Sequence, residues 1–274
     1  MRTTTPAALP GTIAGFTCER FAAVIAERGW LVIDGFVDAD LVERMRADLA
    51  SAYAVCRSLQ IANGIALDTE GTLHHLIGLG ASFLEFIDGL EPVRPHFERH
   101  FRGRFILNSF GGNILGSGGS YANAVHRDIR TSSGNLPLLL NTLVMLDDFT
   151  PANGATLMMT GSHRDWPEQP DDAAFHARAE PALGRAGSML VFDSHLWHAA
   201  GVNRSDRPRR SVTPMYCRPF IKPQFDYPRA LGYDRMSTLS PLQQQVLGYH
   251  ARIPATLAEW YRPASTRLYQ SGQG

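Results

Sequence analysis

The alternation of hydrophobic and polar residues near the N-terminus predicts a short helix followed by a strand. Thr17 is of a residue type that caps helices, and Gly29 is of the type that ends them. Between them, apolar residues recur at the spacing of one helix face: Phe21, Val24 and Ile25. Residues 30–33, Trp-Leu-Val-Ile, have the content of a strand.

A second helix is predicted to start at Asp40, because Glu43 follows three residues later, as in a capping box. Its buried stripe consists of apolar residues three or four positions apart: Leu41, Met45, Leu49 and Ala52. Residues 60–100 lack clean periodicity, and we expect them to cover a pocket.

From Phe105 the pattern changes to short apolar runs separated by Gly, Asn, Pro and Asp. Many short strands without long helices between them indicate a barrel or a double-sheet jelly roll rather than a parallel α/β fold. The predicted strands are Phe105–Phe110, Tyr121–His126, Leu138–Leu146, Thr156–Met159, Ser188–Phe192, His198–Val202 and Arg209–Tyr216.

The chain shows no internal repeat and no long linker, so we expect residues 1–274 to form one domain. Within it, residues 1–104 supply N-terminal helices and covering segments, 105–216 the jelly-roll core, and 217–274 a C-terminal extension. In that extension, Ser240 and Pro241 form a good N-cap and N1 pair for a helix through Leu247.

Composition favours a cytoplasmic protein that binds neither nucleic acid nor a membrane. The 26 basic and 26 acidic residues give zero formal charge, which predicts no broad attraction to nucleic acid or to an anionic membrane. The three cysteines lie far apart and indicate a reducing compartment. Residues 1–15 lack the basic and apolar regions of a secretory signal. The most apolar run, Leu138–Leu146, is much shorter than the ~20 residues of a membrane helix.

Candidate chemistry centres on His126, Asp128 and the distal His198. Two imidazoles and one carboxylate can occupy one face of an octahedral metal and leave three positions open, as in non-haem iron oxygenases. His126 and Asp128 are two residues apart, so at the end of one strand they would share a face. His195 is three residues from His198, and strand alternation predicts that it points away from the metal.

Arg209 and Ser211 are also two residues apart and are predicted to share one face of the last strand, with Arg210 pointing the other way. A guanidinium beside a hydroxyl suits a buried carboxylate. The alternative is that residues 206–210 form a solvated turn of mixed charge. Two other functions remain open from the residues alone: a cupin-like metal-dependent isomerase or lyase, and a non-catalytic jelly-roll binding module.

The chain resembles the phytanoyl-CoA dioxygenase family of Fe(II)/2-oxoglutarate oxygenases from residue 29 to about Tyr216. The resemblance rests on the opening strand and turn and on motifs further along: His126-x-Asp128, Asn153-Gly154-Ala155-Thr156 leading to Gly161-Ser162-His163-Arg164, and Trp197-His198 followed by Asn203, Ser205 and Arg209. It departs from the family pattern at Thr160, where Pro is common, and at Ala200, where some members have Ser.

The resemblance implies a double-stranded β-helix (jelly-roll or cupin-like) core with flanking helices. It implies that His126, Asp128 and His198 bind Fe(II) and that Arg209 pairs with the distal carboxylate of 2-oxoglutarate. The same resemblance suggests further contacts to 2-oxoglutarate from Ser211, Thr156 and Asn108.

The implied reaction consumes O2, releases succinate and CO2, and oxidises a C–H bond by hydroxylation, desaturation or a related step. Asp128 favours these outcomes, because halogenating relatives lack this carboxylate. We expect a metabolite or biosynthetic intermediate as substrate, with no coenzyme A site and no specified oligomeric state. Segments 60–100 and 220–240 are expected to set specificity, with aromatic residues forming an apolar wall or simply the core: Phe83, Phe86, Phe220, Phe225 and Tyr227. His74 and His75 are either solvated or substrate-facing.

Overall fold

A large antiparallel sheet forms the centre of the molecule. The computed structural model describes residues 10–118, 120–129, 131 and 136–274. Within them, seven strands form the main sheet in the order β1-β2-β8-β5-β10-β4-β3, and only the β1–β2 pair is parallel. Its strands are β1 Pro10–Gly11, β2 Trp30–Ile33, β3 Thr72–Leu73, β4 Ile106–Leu115, β5 Leu139–Met145, β8 Met189–Asp193 and β10 Arg209–Cys217.

A smaller antiparallel sheet packs against one face of the main sheet. It has the order β7-β6-β9, from β6 Leu157–Met158, β7 Glu180–Pro181 and β9 His198–Ala199. An isolated antiparallel bridge from His126 to His198 extends it beyond β9. The two sheets form the jelly-roll core that the pattern of short strands predicts.

Helices flank the sheets along the whole chain. The described helices are α1 Cys18–Arg28, α2 Ala39–Ala62, α3 Ala81–Asp88, α4 Arg94–Phe101, α5 Ser162–Asp165, α6 Asp172–Arg178, α7 Tyr227–Leu231, α8 Pro241–Val246 and α9 Leu257–Trp260. Four short 3-10 helices are also described: Ile13–Gly15, Tyr121–Asn123, Asp234–Thr238 and Ala264–Thr266.

The predicted boundaries of α1 are confirmed. Thr17 caps its start by accepting a hydrogen bond from the Arg20 amide, and Gly29 ends it with φ of 84°. A glycine is required there, because a Cβ at this position would lie 2.5 Å from Leu196 Cδ1. The C-terminal helix α8 likewise starts at Ser240, which forms a full capping box with Gln243.

The predicted start of α2 at Asp40 is wrong by two residues. Asp38 is the N-cap, and its side chain accepts a hydrogen bond from the Leu41 amide at 2.8 Å. Asp40 lies in the first turn, where its negative charge interacts favourably with the helix dipole, but its side chain does not cap the helix. The predicted stripe of apolar residues is buried throughout: Leu41, Met45, Leu49 and Ala52.

The predicted strand Tyr121–His126 is wrong, whereas the other six predicted strands overlap observed ones. Residues 121–123 form a 3-10 helix, and His126 makes only a single bridge. Side-chain hydrogen bonds explain the difference. The Ala122 amide donates to Ser120 Oγ at 3.1 Å, and the Asn123 carboxamide donates to the Ala200 carbonyl at 2.8 Å. Such local bonds compete with strand pairing.

Alternate side chains along the strands of the main sheet point to opposite faces, one towards the helices and the other towards the small sheet. One face carries Leu31, Ile33, Val144, Val191 and Val212, which join the core formed with α1 to α4 and α8. The opposite face carries Trp30, Leu143, Leu190 and Phe192, which pack towards the small sheet. Strand alternation therefore places a second layer of side chains between the two sheets, where the candidate ligands lie.

Candidate metal and carboxylate site

His126 and His198 are neighbours across a backbone bridge at the edge of the small sheet. The His126 amide donates to the His198 carbonyl at 3.0 Å, and the His198 amide donates to the His126 carbonyl at 2.9 Å. Their ring centroids are 4.3 Å apart. The two imidazoles therefore come together although 71 positions separate them in the chain, counting from 127 to 197.

Asp128 completes a set of three side chains that face one point. Its Oδ1 lies 3.8 Å from His126 Nε2, and its Oδ2 lies 3.7 Å from His198 Nε2. All three candidate ligand atoms lie within 4.8 Å of one another, which is compatible with one shared metal ion. The three side chains that the sequence selects are thus brought together.

Backbone carbonyls orient both histidines. His126 Nδ1 lies 2.8 Å from the Ala124 carbonyl, and His198 Nδ1 lies 2.9 Å from the Leu196 carbonyl. Since a carbonyl only accepts, each Nδ1 carries the proton and each Nε2 keeps a lone pair for a metal. Burial also lowers the pKa of His198, against the opposing influence of Asp128, and so favours the neutral form that metals require.

The carboxylate of Asp128 is oriented by Asn141, which sequence reasoning did not identify. Asn141 Nδ2 donates to Asp128 Oδ2, and Ser194 Oγ donates to Asn141 Oδ1 at 2.9 Å. The Ser194 carbonyl also accepts from the Asp128 amide at 3.1 Å. The available signal was the position of Asn141 itself, a polar residue that interrupts the most apolar run of the chain.

A cavity of about 630 Å³ opens beside the three side chains. Its floor is the inner face of the main sheet, to which β4 contributes Ser109 and Asn113 and β10 contributes Thr213 and Met215. The covering side includes Thr72, His74 and Gln224. The candidate ligands His126, Asp128 and His198 line the same cavity, so a bound metal would face its interior.

Arg209 lies on the cavity face of β10 with almost no solvent contact. Its side chain lies on the same face of β10 as those of Ser211, Thr213 and Met215, and only 2% of the residue is exposed. Nη1 donates to the Gly154 carbonyl, and Cζ stacks 4.2 Å from the centre of the Phe149 ring. The solvated turn considered as an alternative is therefore not observed.

Among the described residues, the guanidinium of Arg209 has no acidic partner. No carboxylate of the described residues lies within 4.0 Å of it, and its buried Nε has no hydrogen-bond partner among them. Burial lowers the pKa of Arg209 to about 10, which still leaves it charged at neutral pH. An unpaired buried charge is costly, so this environment favours a bound anion.

Arg210 points to the opposite side of β10, as alternation predicts. Its Nη2 lies 2.8 Å from Asp147 Oδ1 and its Nε lies 2.9 Å from Asp147 Oδ2. The carboxylate of Asp147 therefore holds Arg210 in a bidentate pair. The two adjacent arginines therefore differ, since Arg210 forms an ion pair with Asp147 and Arg209 forms none with a described residue.

The three further predicted contacts occupy different environments. Thr156 lines the cavity directly, and Ser211 lies beside Arg209 with a buried hydroxyl that has no described partner. Asn108 lies outside the cavity lining, and its amide nitrogen is 3.7 Å from Cys217 Sγ. Its carboxamide oxygen is buried and also has no described partner.

Four other histidines are separate from the candidate metal ligands. His195 Nδ1 contacts Asp193 Oδ1 at 3.0 Å, and His163 Nε2 contacts the Ala26 carbonyl at 3.1 Å. His74 lines the cavity, whereas His75 stacks on Phe225. Of the two alternatives for the aromatic residues, the core alternative holds for Phe83, Phe86 and Tyr227, which belong to the helix-side core. Phe220 is 52% exposed.

A family model described as phytanoyl-CoA dioxygenase matches residues 25–211, which include the three candidate ligands and Arg209. The chain belongs to the phytanoyl-CoA dioxygenase family. An uncharacterized protein of Mycobacterium tuberculosis is 41% identical over 177 residues, which make up 64% of this chain and 63% of that protein. The match therefore spans less than two thirds of that relative.

Another relative carries a functional name. The Fe(II)/2-oxoglutarate-dependent dioxygenase nvfF of Aspergillus novofumigatus is 25% identical over 259 residues, covering 85% of this chain and 84% of that protein. That share of this chain is larger than the region that the phytanoyl-CoA dioxygenase family model matches.

The fold is shared with a solved structure. The crystal structure of SnoN, a non-haem α-ketoglutarate-dependent epimerase from nogalamycin biosynthesis, gives a TM-score of 0.54 at 18% identity. The match covers 73% of this chain and 81% of that chain. This likeness confirms the predicted jelly-roll core with flanking helices. Among the described residues, no helix is both long enough and apolar enough to cross a membrane.

Proposed function

We propose that this protein is an Fe(II)- and 2-oxoglutarate-dependent dioxygenase that oxidises a C–H bond of a small molecule. The reaction would consume O2 and release succinate and CO2. The observation that carries the proposal is the convergence of His126, Asp128 and His198 on one point, combined with a buried and unpaired Arg209 on the same inner face. Membership of the phytanoyl-CoA dioxygenase family supports it.

The donor set of the site fits Fe(II). Two neutral imidazoles and one carboxylate bind one face of the ion and leave three positions for other ligands. Bound iron, together with 2-oxoglutarate and O2, would supply the oxidising chemistry. The protein contributes orientation: the Ala124 and Leu196 carbonyls fix the imidazoles, and Asn141 fixes the carboxylate.

Arg209 is proposed to bind the distal carboxylate of 2-oxoglutarate. A dicarboxylate would neutralise the buried guanidinium and use its free Nε, so its binding offsets the cost of burying Arg209. The hydroxyls of Ser211 and Thr156 are proposed as additional donors. Asn108 stays a prediction, with its unpartnered carboxamide oxygen as the group available for such a contact.

The two alternative functions account for less of this arrangement. A cupin-like isomerase or lyase would use the three metal ligands but would leave Arg209 without a role. A non-catalytic binding module would need neither the aligned Nε2 atoms of His126 and His198 nor the oriented carboxylate of Asp128. The dioxygenase uses all four side chains.

The proposal is tested by measuring conversion of 2-oxoglutarate to succinate in air, with Fe(II) and a panel of candidate substrates. Wild-type protein is expected to form succinate, with faster formation when a panel member is a substrate. His126→Ala is expected to abolish it, because one of three ligands is lost. His195→Ala is the matched control and is expected to retain it. Turnover by His126→Ala, or no succinate from wild-type protein, would refute the proposal.

A further inference from the structure

Two polar side chains from separate covering segments line the cavity beside the candidate metal ligands. His74 follows β3, and Gln224 lies in the segment between β10 and α7. Neither side chain has a hydrogen-bond partner among the described residues, and the same is true of the Ser109 and Thr213 hydroxyls on the cavity floor. These groups are available to a ligand.

The two covering segments are held together by their neighbouring residues. His75 stacks on Phe225 with ring centroids 4.5 Å apart and an interplanar angle of 13°. His75 Nδ1 also lies 3.4 Å from the hydroxyl of Tyr227. In the first segment His75 forms the stack and its neighbour His74 lines the cavity. In the second segment Phe225 forms the stack and its neighbour Gln224 lines the cavity.

Backbone hydrogen bonds fix both segments to the main sheet. The Leu76 amide donates to the Phe110 carbonyl at 2.9 Å, and the Gln224 amide donates to the Asn108 carbonyl at 3.0 Å. His75 has φ of 59°, a left-handed conformation that turns the chain between the two histidines. The positions of His74 and Gln224 are thus set before any ligand binds.

The charge of the cavity restricts its ligand. Among the described lining residues, the only carboxylate is Asp128, and neither lysine nor arginine is present. A nucleotide or an acyl-coenzyme A would bring phosphates that such a wall cannot neutralise. Desolvation also lowers the pKa of His74, so at neutral pH this ring adds no positive charge.

We propose that the substrate is an uncharged small molecule bearing at least one hydroxyl group, which His74 and Gln224 bind. The inference rests on the proposed dioxygenase function, since it treats the cavity as the substrate site. A neutral imidazole and a carboxamide each offer a donor and an acceptor, and a hydroxyl offers both in return. Hydrogen bonds to the substrate hydroxyl also discriminate against analogues without a hydroxyl, because His74 and Gln224 would then have no hydrogen-bond partner in the complex.

The test uses protein loaded with Mn(II) and saturating 2-oxoglutarate under argon, so that no turnover occurs. The probes are 4-phenylcyclohexanol and its analogues in which methyl, ammonium or carboxylate replaces the hydroxyl. Their dissociation constants are measured by ligand-observed NMR. The hydroxyl probe is expected to bind most tightly, by about fivefold or more over the methyl analogue, the size of one hydrogen bond.

Variants assign the contact to the two side chains. His74→Leu and Gln224→Leu are each expected to remove the preference for hydroxyl over methyl, by about fivefold. Phe225→Ala is expected to reduce it while both polar side chains remain. His176→Leu, an exposed histidine of α6, is the matched control and should leave the preference unchanged. Retained Mn(II) and 2-oxoglutarate affinity would show that each variant is folded.

Three results would overturn the assignment: no binding of the hydroxyl probe, equal or tighter binding of a charged analogue, or an unchanged preference in both His74→Leu and Gln224→Leu. Failure of the dioxygenase function has a different signature. In that case wild-type protein would not bind Mn(II) and 2-oxoglutarate in the first place.

Discussion

Single hydrogen bonds decide which atoms of the metal ligands face the cavity. His126 and His198 each contact a backbone carbonyl two residues earlier through Nδ1, and this leaves both Nε2 atoms free. Asp128 depends instead on the side chain of Asn141, which lies on β5. The orientation of the carboxylate is therefore the part of the site most easily changed by one substitution.

Asn141→Ala is expected to weaken metal binding by about 10- to 100-fold, the range typical for loss of a group that orients a ligand. The measurement is a titration with Mn(II), with free ion followed by electron paramagnetic resonance. Thr142→Val is the control, because Thr142 donates to the Pro214 carbonyl at 2.9 Å and does not contact Asp128. Equal affinities in wild-type protein and Asn141→Ala would show that Asn141 does not orient the ligand.

Arg209 and Arg210 offer a matched pair for testing the co-substrate site. Arg209→Ala is expected to raise the dissociation constant for 2-oxoglutarate by about 30-fold or more, since a buried charge pair is lost. Arg210→Ala removes the same charge from the opposite face, where Asp147 is its partner, and should leave that constant nearly unchanged. Calorimetry on the Mn(II)-loaded protein measures both. A similar weakening in the two variants would indicate a general electrostatic effect.

At the scale of elements, the sequence predicts the helices and strands whose boundaries depend on residues close by in the chain. Thr17 and Gly29 delimit α1, Ser240 starts α8, and alternation places Arg209 and Ser211 on one face of β10. Each of these features follows from side chains within a few residues. The pattern around α2 was ambiguous, because acidic residues at 38 and 40 both suit an N-cap.

The observed N-cap of α2 gives a prediction on stability. Asp38→Ala is expected to lower the free energy of unfolding by about 1 kcal/mol, because the Leu41 amide loses its acceptor. Asp40→Ala loses only a favourable interaction with the helix dipole, worth about 0.3 kcal/mol. Urea denaturation of the two variants measures the difference. A larger loss of stability in Asp40→Ala than in Asp38→Ala would indicate that Asp40 is the N-cap.

The segment around residues 120–128 shows where local reasoning fails. Its apolar content suggested a strand, but it forms a 3-10 helix, in which Ser120 Oγ accepts from the Ala122 amide and the Asn123 carboxamide donates to the Ala200 carbonyl. His126 and Asp128 nevertheless face the same cavity, because the bridge to His198 positions the segment. His126 and Asp128 line one cavity, as a strand would also have placed them, but a backbone bridge to His198 positions them and no strand is present there.

At the scale of the whole molecule, the site is assembled from segments far apart in the chain. The small sheet supplies His198, the main sheet supplies Asn141 and Arg209, and the covering segments supply His74 and Gln224. Residue types and motif spacing selected in advance Arg209 and the three side chains that the structure brings together, His126, Asp128 and His198. Asn141, Ser194 and the His75–Phe225 stack depend on how the layers pack, which one sequence does not encode in any local pattern.

The layered structure also explains why Phe83 and Phe86 form core and do not line the cavity. Phe83 and Phe86 pack on the helix side of the main sheet, so their aromatic surface stabilises the core. The part of the inner face that lines the cavity carries polar residues, among them Ser109, Asn113 and Thr213, beside the apolar Leu143 and Phe192. The helix-side core and the candidate cavity therefore lie on opposite faces of one sheet.

The most direct measurement is the visible absorption spectrum of the protein when Fe(II) and then 2-oxoglutarate are added without oxygen. Chelation of the iron by the keto acid is expected to produce a weak charge-transfer band in wild-type protein and in His195→Ala. The band is expected to be absent from His198→Ala at the same concentrations. No band in wild-type protein, or an equal band in His198→Ala, would contradict a ferrous ion held by His126, Asp128 and His198.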